Sequence, residues 1–327
     1  MRQAFGRRAA LGAMAAAAML GPAAARAQSE AAWPTRPVRI VVPFTPGGSN
    51  DAMARPLSER LHARFGQPFV IENRPGAGSA VGVTHVAQSA PDGHTLLVTT
   101  SSVTAIAAVQ GTNFDAATEL DTVALLAKSP LIVLVRPGSP IRSMQDILRM
   151  DREAPGSLTF ATSGPGSTTH IMTELFNLRA GTKLTHVPYR GTAPALTDVV
   201  AGRVDMMFTT IASAAGQIRG NLLRIVAYTD DGRPAGTPDA PTVREQGIDY
   251  VGGIWWGLFA PRGLPPALRT RLNQAVNETL ADPAFAAYLA KEGAVPAPLA
   301  PDAFAEFLKQ ELVTMREVVR AARIRPD

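Results

Sequence analysis

Cysteine is absent from the 327 residues, which excludes thiol nucleophiles, cysteine metal sites and disulfides together. A chain of this length builds stable cores by packing alone, whereas small secreted domains need cross-links. Metal-ligand spacing is lacking too: the histidines, at 62, 85, 94, 170 and 186, form no H-E-x-x-H or related pattern. No G-x-S-x-G elbow occurs, which argues against a serine hydrolase. Gly76-Ala-Gly-Ser-Ala-Val-Gly82 departs from the G-x-G-x-x-G dinucleotide fingerprint and reads as a turn with a helix start. Neither a metal nor a cofactor is therefore expected. Charge is sparse, with 32 Lys and Arg against 27 Asp and Glu. No dense basic cluster is interleaved with aromatics, so no nucleic-acid partner is expected. Past the N-terminal stretch, no apolar run is long enough to span a bilayer.

That stretch has the layout of an export signal. Arg2, Arg7 and Arg8 precede the small, apolar run from Ala9 to Ala24, and Ala25-Arg-Ala27 fits an A-x-A cleavage site. Residues 1–27 are expected to be a signal peptide cleaved after Ala27, through the Sec or the twin-arginine route, placing the mature chain in the periplasm. Four arginines and no acids leave with it. The mature chain then carries 28 basic against 27 acidic residues, a formal +1 that removes the apparent basicity.

The remainder alternates between β-type runs and helical patterns. Val38–Val42, Phe69–Glu72, Thr95–Thr99, Val123–Ala127 and Leu131–Val135 read as strands, with a helix over Asp51–Phe65 and a short one over Gly82–Ala90. Arg136-Pro-Gly-Ser-Pro140 reads as the crossing between two lobes, after which the alternation starts again. The last helix, from Asp302 to about Arg323, spaces Phe304, Phe307, Leu308, Met315 and Val319 along one side. The expected fold is α/β and two-lobed, each lobe a mostly parallel sheet flanked by helices. Residues 28–134 and 255–327 are assigned to the first lobe and 135–254 to the second. No internal repeat is evident in the sequence.

Two segments share one build. Pro43-Phe-Thr-Pro-Gly-Gly-Ser-Asn-Asp51 follows a strand and enters a helix, and so does Thr162-Ser-Gly-Pro-Gly-Ser-Thr-Thr-His170. Free N–H groups and the positive end of the helix dipole make such starts natural anion sites. Two of them in different lobes predict a cleft that grips a small anion from both sides. Asp51 is expected to shape its loop or meet a polar ligand group, because a carboxylate there repels an anion. Ser167 and His170 lie one helical turn apart; a hydroxyl-lined pocket is favoured over a catalytic dyad. The rival class is a periplasmic hydrolase or phosphatase using the same pocket.

The ordered set of motifs resembles the Bug family, the extracytoplasmic receptors of tripartite tricarboxylate transporters. Val42–Asp51, Asn73–Gly78, Pro91–Leu96, Ser163–His170, Val187–Gly191, Gly202–Asp205 and Trp256–Pro261 carry the resemblance across nearly the whole mature chain. It implies a periplasmic-binding-protein fold that closes on its ligand, with no catalysis. A ligand carboxylate would be held by loop amides, hydroxyls and bridging waters. Carried over, Phe44, Thr45, Pro46, Gly47 and Gly48 form one jaw. Ser163, Gly164, Pro165, Gly166, Ser167 and His170 form the other. Asp51, Ser102, Tyr189 and Asp205 complete the expected ligand set. The expected partners of this monomer are a small carboxylate and either membrane transporter subunits or a sensor protein. The sequence departs from the family at Arg190, where lysine is frequent, and after Ser101-Ser102, where Asn-Pro is usual.

Overall fold

The computed structural model describes residues 33–110, 115–322 and 324, with Gln110 described at its backbone only. The expected signal peptide and its cleavage site lie outside the described residues.

Apolar, largely β-branched runs form the centre of the first lobe. Strand β1 (Val38–Val42) leads through helix α1 (Ser49–Phe65) to β2 (Phe69–Asn73). Helix α2 (Ala80–Ala87) then leads to β3 (Thr95–Thr100). β1 pairs in parallel with β2 on one side and with β3 on the other. β3 is buried at every position, as a strand covered on both faces must be. Helices α3 (Ser102–Gln110) and α4 (Ala116–Glu119) follow, and then the long strand β4 (Leu120–Pro130).

The chain enters the second lobe as β5 (Ile132–Val135) and continues through helix α5 (Met144–Glu153) into β6 (Thr159–Thr162). From β6 it runs through α6 (Thr168–Ala180), β7 (Thr185–Pro188), α7 (Thr192–Val200), β8 (Met206–Thr209), α8 (Ile211–Arg219) and β9 (Arg224–Tyr228). β6 pairs in parallel with β7 on one side and with β8 on the other. Strand β10 (Gly253–Pro261) returns to the first sheet, followed by α9 (Pro266–Ala281), α10 (Pro283–Lys291), β11 (Val295–Pro296) and α11 (Pro301–Ala321). The buried residues of α11 (Phe304, Leu308, Leu312, Met315 and Val319) recur at helical spacing and form its core-facing stripe.

The six-stranded sheet has the order β11-β4-β10-β3-β1-β2, and the five-stranded sheet the order β7-β6-β8-β5-β9. Both are mixed, because the strands next to the crossings run against their neighbours: β10 against β3 and β4, and β5 against β8 and β9. The crossings fall at Pro130–Leu131 and Gly252–Gly253. The first lies ahead of the expected boundary at 134/135: Ile132–Val135 belongs to the second sheet, and Arg136–Pro140 is a turn inside the second lobe. A short, wholly apolar run fits either sheet by pattern alone, and only its hydrogen bonds decide. At the crossings Gly253 pairs with Pro130, and the Gly252 N–H donates to the Thr229 carbonyl at 2.9 Å. The Thr229 hydroxyl reaches the carbonyls of both Leu131 and Gly252.

Candidate functional site

In each sheet the first strand of a β-α-β-α-β unit sits between the two that follow it. β1 connects outward to β2 while its neighbour β3 leads the other way to β4, and β6 connects to β7 while β8 leads the other way to β9. The carboxyl end of such a strand is a topological switch point, where a crevice opens. Both glycine-rich loops stand there, one after β1 and one after β6.

The first loop is fastened by a charge. The Asp51 carboxylate, buried in the first turn of α1, accepts from the Gly47 N–H at 3.0 Å and from the Asn73 amide at 3.0 Å. It also accepts from the Arg55 guanidinium at 2.9 and 3.1 Å. Asn73 donates in addition to the Phe44 carbonyl at 3.0 Å, tying the start of the loop to the end of β2. Gly47 takes φ +87°, a left-handed conformation that favours glycine, and lets the chain turn sharply into the helix.

The second loop is fastened by hydroxyls and a histidine rather than by a carboxylate. The Ser167 hydroxyl caps α6 by accepting from the His170 N–H at 3.3 Å, and it donates to the Gly164 carbonyl at 2.7 Å. The Thr169 hydroxyl accepts from the Ser163 N–H at 3.1 Å and lies within 3.1 Å of the hydroxyls of Ser163 and Ser167. Behind the loop the His170 ring accepts the Gly166 N–H at Nδ1 (3.2 Å) and stacks on His186, centroids 4.0 Å apart. His186 shares a 2.7 Å hydrogen bond with the Thr162 hydroxyl. Burial, with the neighbouring His170 a second cause, pushes the His186 pKa down to about 3, so this ring is neutral at ordinary pH.

The lobes meet at these loops. The Ser49 N–H of α1 donates to the Ser213 hydroxyl of α8 at 3.1 Å, and the hydroxyls of Ser101 and Thr168 lie 3.0 Å apart. A Cβ added at Gly78 would collide with the Pro165 carbonyl oxygen, and one added at Gly191 with the Thr45 hydroxyl. The jaws are closed on each other.

Between them is a narrow cleft of about 20 Å³. Of the residues expected to hold the ligand, Phe44, Gly48 and Ser163 line it. Ser49, Asn50, Thr168 and Thr169 join them from the first turns of the two jaw helices. The sequence reading did not single out Thr100, Thr192, Thr209, Thr210, Ser213 and Ile254, which complete the lining. A signal for most of them exists. Thr100 and Thr209 end parallel strands, while Thr192 and Thr210 stand at the starts of α7 and α8, so all four point to the same sheet edge as the two loops. No lining side chain is charged.

Other expected ligand residues stand back from the cleft. Thr45, Pro46, Gly47, Gly164, Pro165 and Gly166 form the loop tips and interlobe contacts; Ser167 and His170 brace the second loop. The Ser102 hydroxyl bonds the hydroxyls of Ser79, Thr99 and Thr100 inside the first lobe. The Tyr189 hydroxyl donates to Asp198 at 2.7 Å, and burial and that carboxylate push its pKa up to about 12. Asp205 accepts the N–H and hydroxyl of Thr159 at 2.8 and 2.7 Å. Thr159 begins β6 whereas Ser163 follows its end, so Asp205 lies at the edge of the sheet remote from the cleft. A second cavity, of about 560 Å³, lies along the crossing strands and α11, with Ile254 contributing to both cavities.

Residues 53–324 match the model of the tripartite tricarboxylate transporter family receptor. The chain belongs to this family. BugT of Bordetella pertussis is 34% identical over 292 residues, covering 88% of this chain and 90% of that protein. The R. palustris protein Rpa4515, solved with adipate, superposes with a TM-score of 0.86 at 32% identity, covering 90% of this chain and all of that one. MatC of Rhodopseudomonas palustris, solved with bound malate, gives 0.83 at 33% identity, with 88% and 100% covered. Two solved structures similar to this chain along nearly its whole length thus hold carboxylates on the same two-lobed α/β fold.

Proposed function

We propose that this chain is a periplasmic receptor that captures a small carboxylate between the two loops and delivers it to the membrane subunits of a tripartite tricarboxylate-type transporter. It does so as a monomer and without catalysis; presenting the ligand to a sensor protein is a variant of the same role. The observation that carries this reading is the pair of helix starts, each at a switch point, facing one another across an uncharged, hydroxyl-lined cleft. An anion entering there exchanges water for oriented N–H groups and hydroxyls, and each helix end contributes roughly 0.3–1 kcal/mol, up to ~2 when partly buried. The carboxylates bound by Rpa4515 and MatC support the ligand class. Against a hydrolase, the Ser167 hydroxyl is engaged with the Gly164 carbonyl, and the His170 Nδ1 already accepts a main-chain N–H.

Thermal melting of the exported protein against a panel of carboxylates tests the role. A ligand at 100 times its Kd should add about 2.7 kcal/mol, a shift of several degrees for a chain this size. Gly78→Ala, whose new Cβ meets the Pro165 carbonyl oxygen across the two lobes, should weaken that ligand at least about tenfold, beyond the roughly 1–2 kcal/mol that a side chain at φ +62° costs the ligand-free protein. A flat panel would count against a simple carboxylate. Turnover of an ester or phosphoester that is lost in Ser167→Ala would replace the receptor reading with a hydrolase.

A further inference from the structure

We propose that Asn50 is the specificity-determining residue of the cleft and reads a hydroxyl on the captured acid, so that the preferred ligand is a small hydroxycarboxylate rather than a plain alkyl carboxylate. This rests on the carboxylate reading above. Asn50 is the second residue of α1, lines the cleft and is only 4% exposed. Its Oδ1 is buried and has no hydrogen-bond partner among the described residues. Its surroundings differ in this respect. The hydroxyls of Ser163, Thr169, Thr210 and Ser213 in the same cleft are all bonded to one another or to the main chain. Asp51, the next residue, gathers three partners.

A buried acceptor left open costs stability unless something bound beside it donates, and at the wall of a binding cleft that donor is the ligand. The carboxamide narrows the chemistry further. It accepts at Oδ1 and donates at Nδ2, and a hydroxyl both donates and accepts, so a hydroxyl satisfies it whichever way the amide is turned. A carboxylate oxygen satisfies only the Nδ2 end, an ammonium group only Oδ1, and an alkyl carbon neither. The uncharged walls suit a neutral polar group equally well. Asn50 also sits in the first turn of the helix whose start receives the carboxylate, so both groups of a short hydroxy acid fall within its reach.

Calorimetric titration of the exported protein with matched pairs decides the matter: lactate against propionate, 3-hydroxybutyrate against butyrate, and malate against succinate. The hydroxy member of at least one pair should bind about tenfold tighter or more, a difference expected from one buried hydrogen bond. In Asn50→Leu that ratio should fall to near one; Asn50→Ser, which keeps a hydroxyl at the site, should fall between. Equal or tighter binding of the plain acid in every pair overturns the proposal and leaves carboxylate capture intact. A ratio that survives in Asn50→Leu removes Asn50 from the role. Failure of every carboxylate in these pairs and in the wider panel defeats the receptor reading and this inference together.

Discussion

The two jaws share a topology and differ in what holds them. Each is the loop after the central strand of a β-α-β-α-β unit, each ends in a helix start, and each gives up main-chain N–H groups to its own bracing. In the first the brace is a buried carboxylate answered by a guanidinium; in the second it is a set of hydroxyls and a stacked pair of imidazoles. The same anion-binding element can thus be kept in shape with or without a buried carboxylate. A negative charge tolerated so near an anion site is explained by its neutralisation through Arg55, Gly47 and Asn73. The second jaw needs no such neutralisation, and its response to acid comes through histidine instead.

The sharpest break of this comparison is Asp51→Ala. It leaves the Gly47 N–H and the Asn73 amide without their acceptor and should cost about 2–3 kcal/mol in a denaturant melt, together with most ligand affinity. The ion pair itself adds little to that figure, since the Arg55 side chain is 54% exposed. Ser167→Ala removes a helix cap from the second jaw and should cost about 1 kcal/mol. Equal losses in the two variants would mean that the charge gives the first jaw no additional hold. The smallest effect is on pH dependence. Because the folded His186 pKa lies below the value of 6.5 of a free imidazole, the unfolded chain binds the extra proton first. Stability from this group is complete above about pH 6.5 and declines as pH falls toward about 3. His186→Phe should therefore flatten the dependence of Tm on pH between 6.5 and 5; an unchanged slope would show that His186 is not the titrating group.

Much of the architecture was legible in the chain. The strand after residue 38, the helix into Phe65, the strand from Thr95 and the amphipathic last helix follow from apolar spacing, which local chemistry alone sets. Both glycine loops were legible because a strand, a turn of glycines and a hydroxyl-rich helix start are contiguous in sequence. The duplicated topology was not: the two lobes repeat a path, not a string of residues, and pairing order is a long-range property. The same reason hid the walls of the cleft. Thr192, Thr209 and Thr210 are unremarkable as letters and become neighbours of Phe44 only when two sheets present the same edge. Asp205 shows the converse, since a residue inside a matching segment lies at the far end of its strand.

The paired crossings at Pro130–Leu131 and Gly252–Gly253 govern how such a molecule moves. A single tether between two bodies permits swivel and sway in every direction. Two tethers side by side, stitched through Thr229, suppress twisting and leave one easy rotation, as two pins do for a door. Along that one coordinate small torsional changes at a few peptide units are magnified with distance from the axis. Any rotation about that axis moves the loops at the rim furthest and the hydrogen bonds at Thr229 least. A rotation confined to that axis returns the same atoms to the same register each time it is reversed.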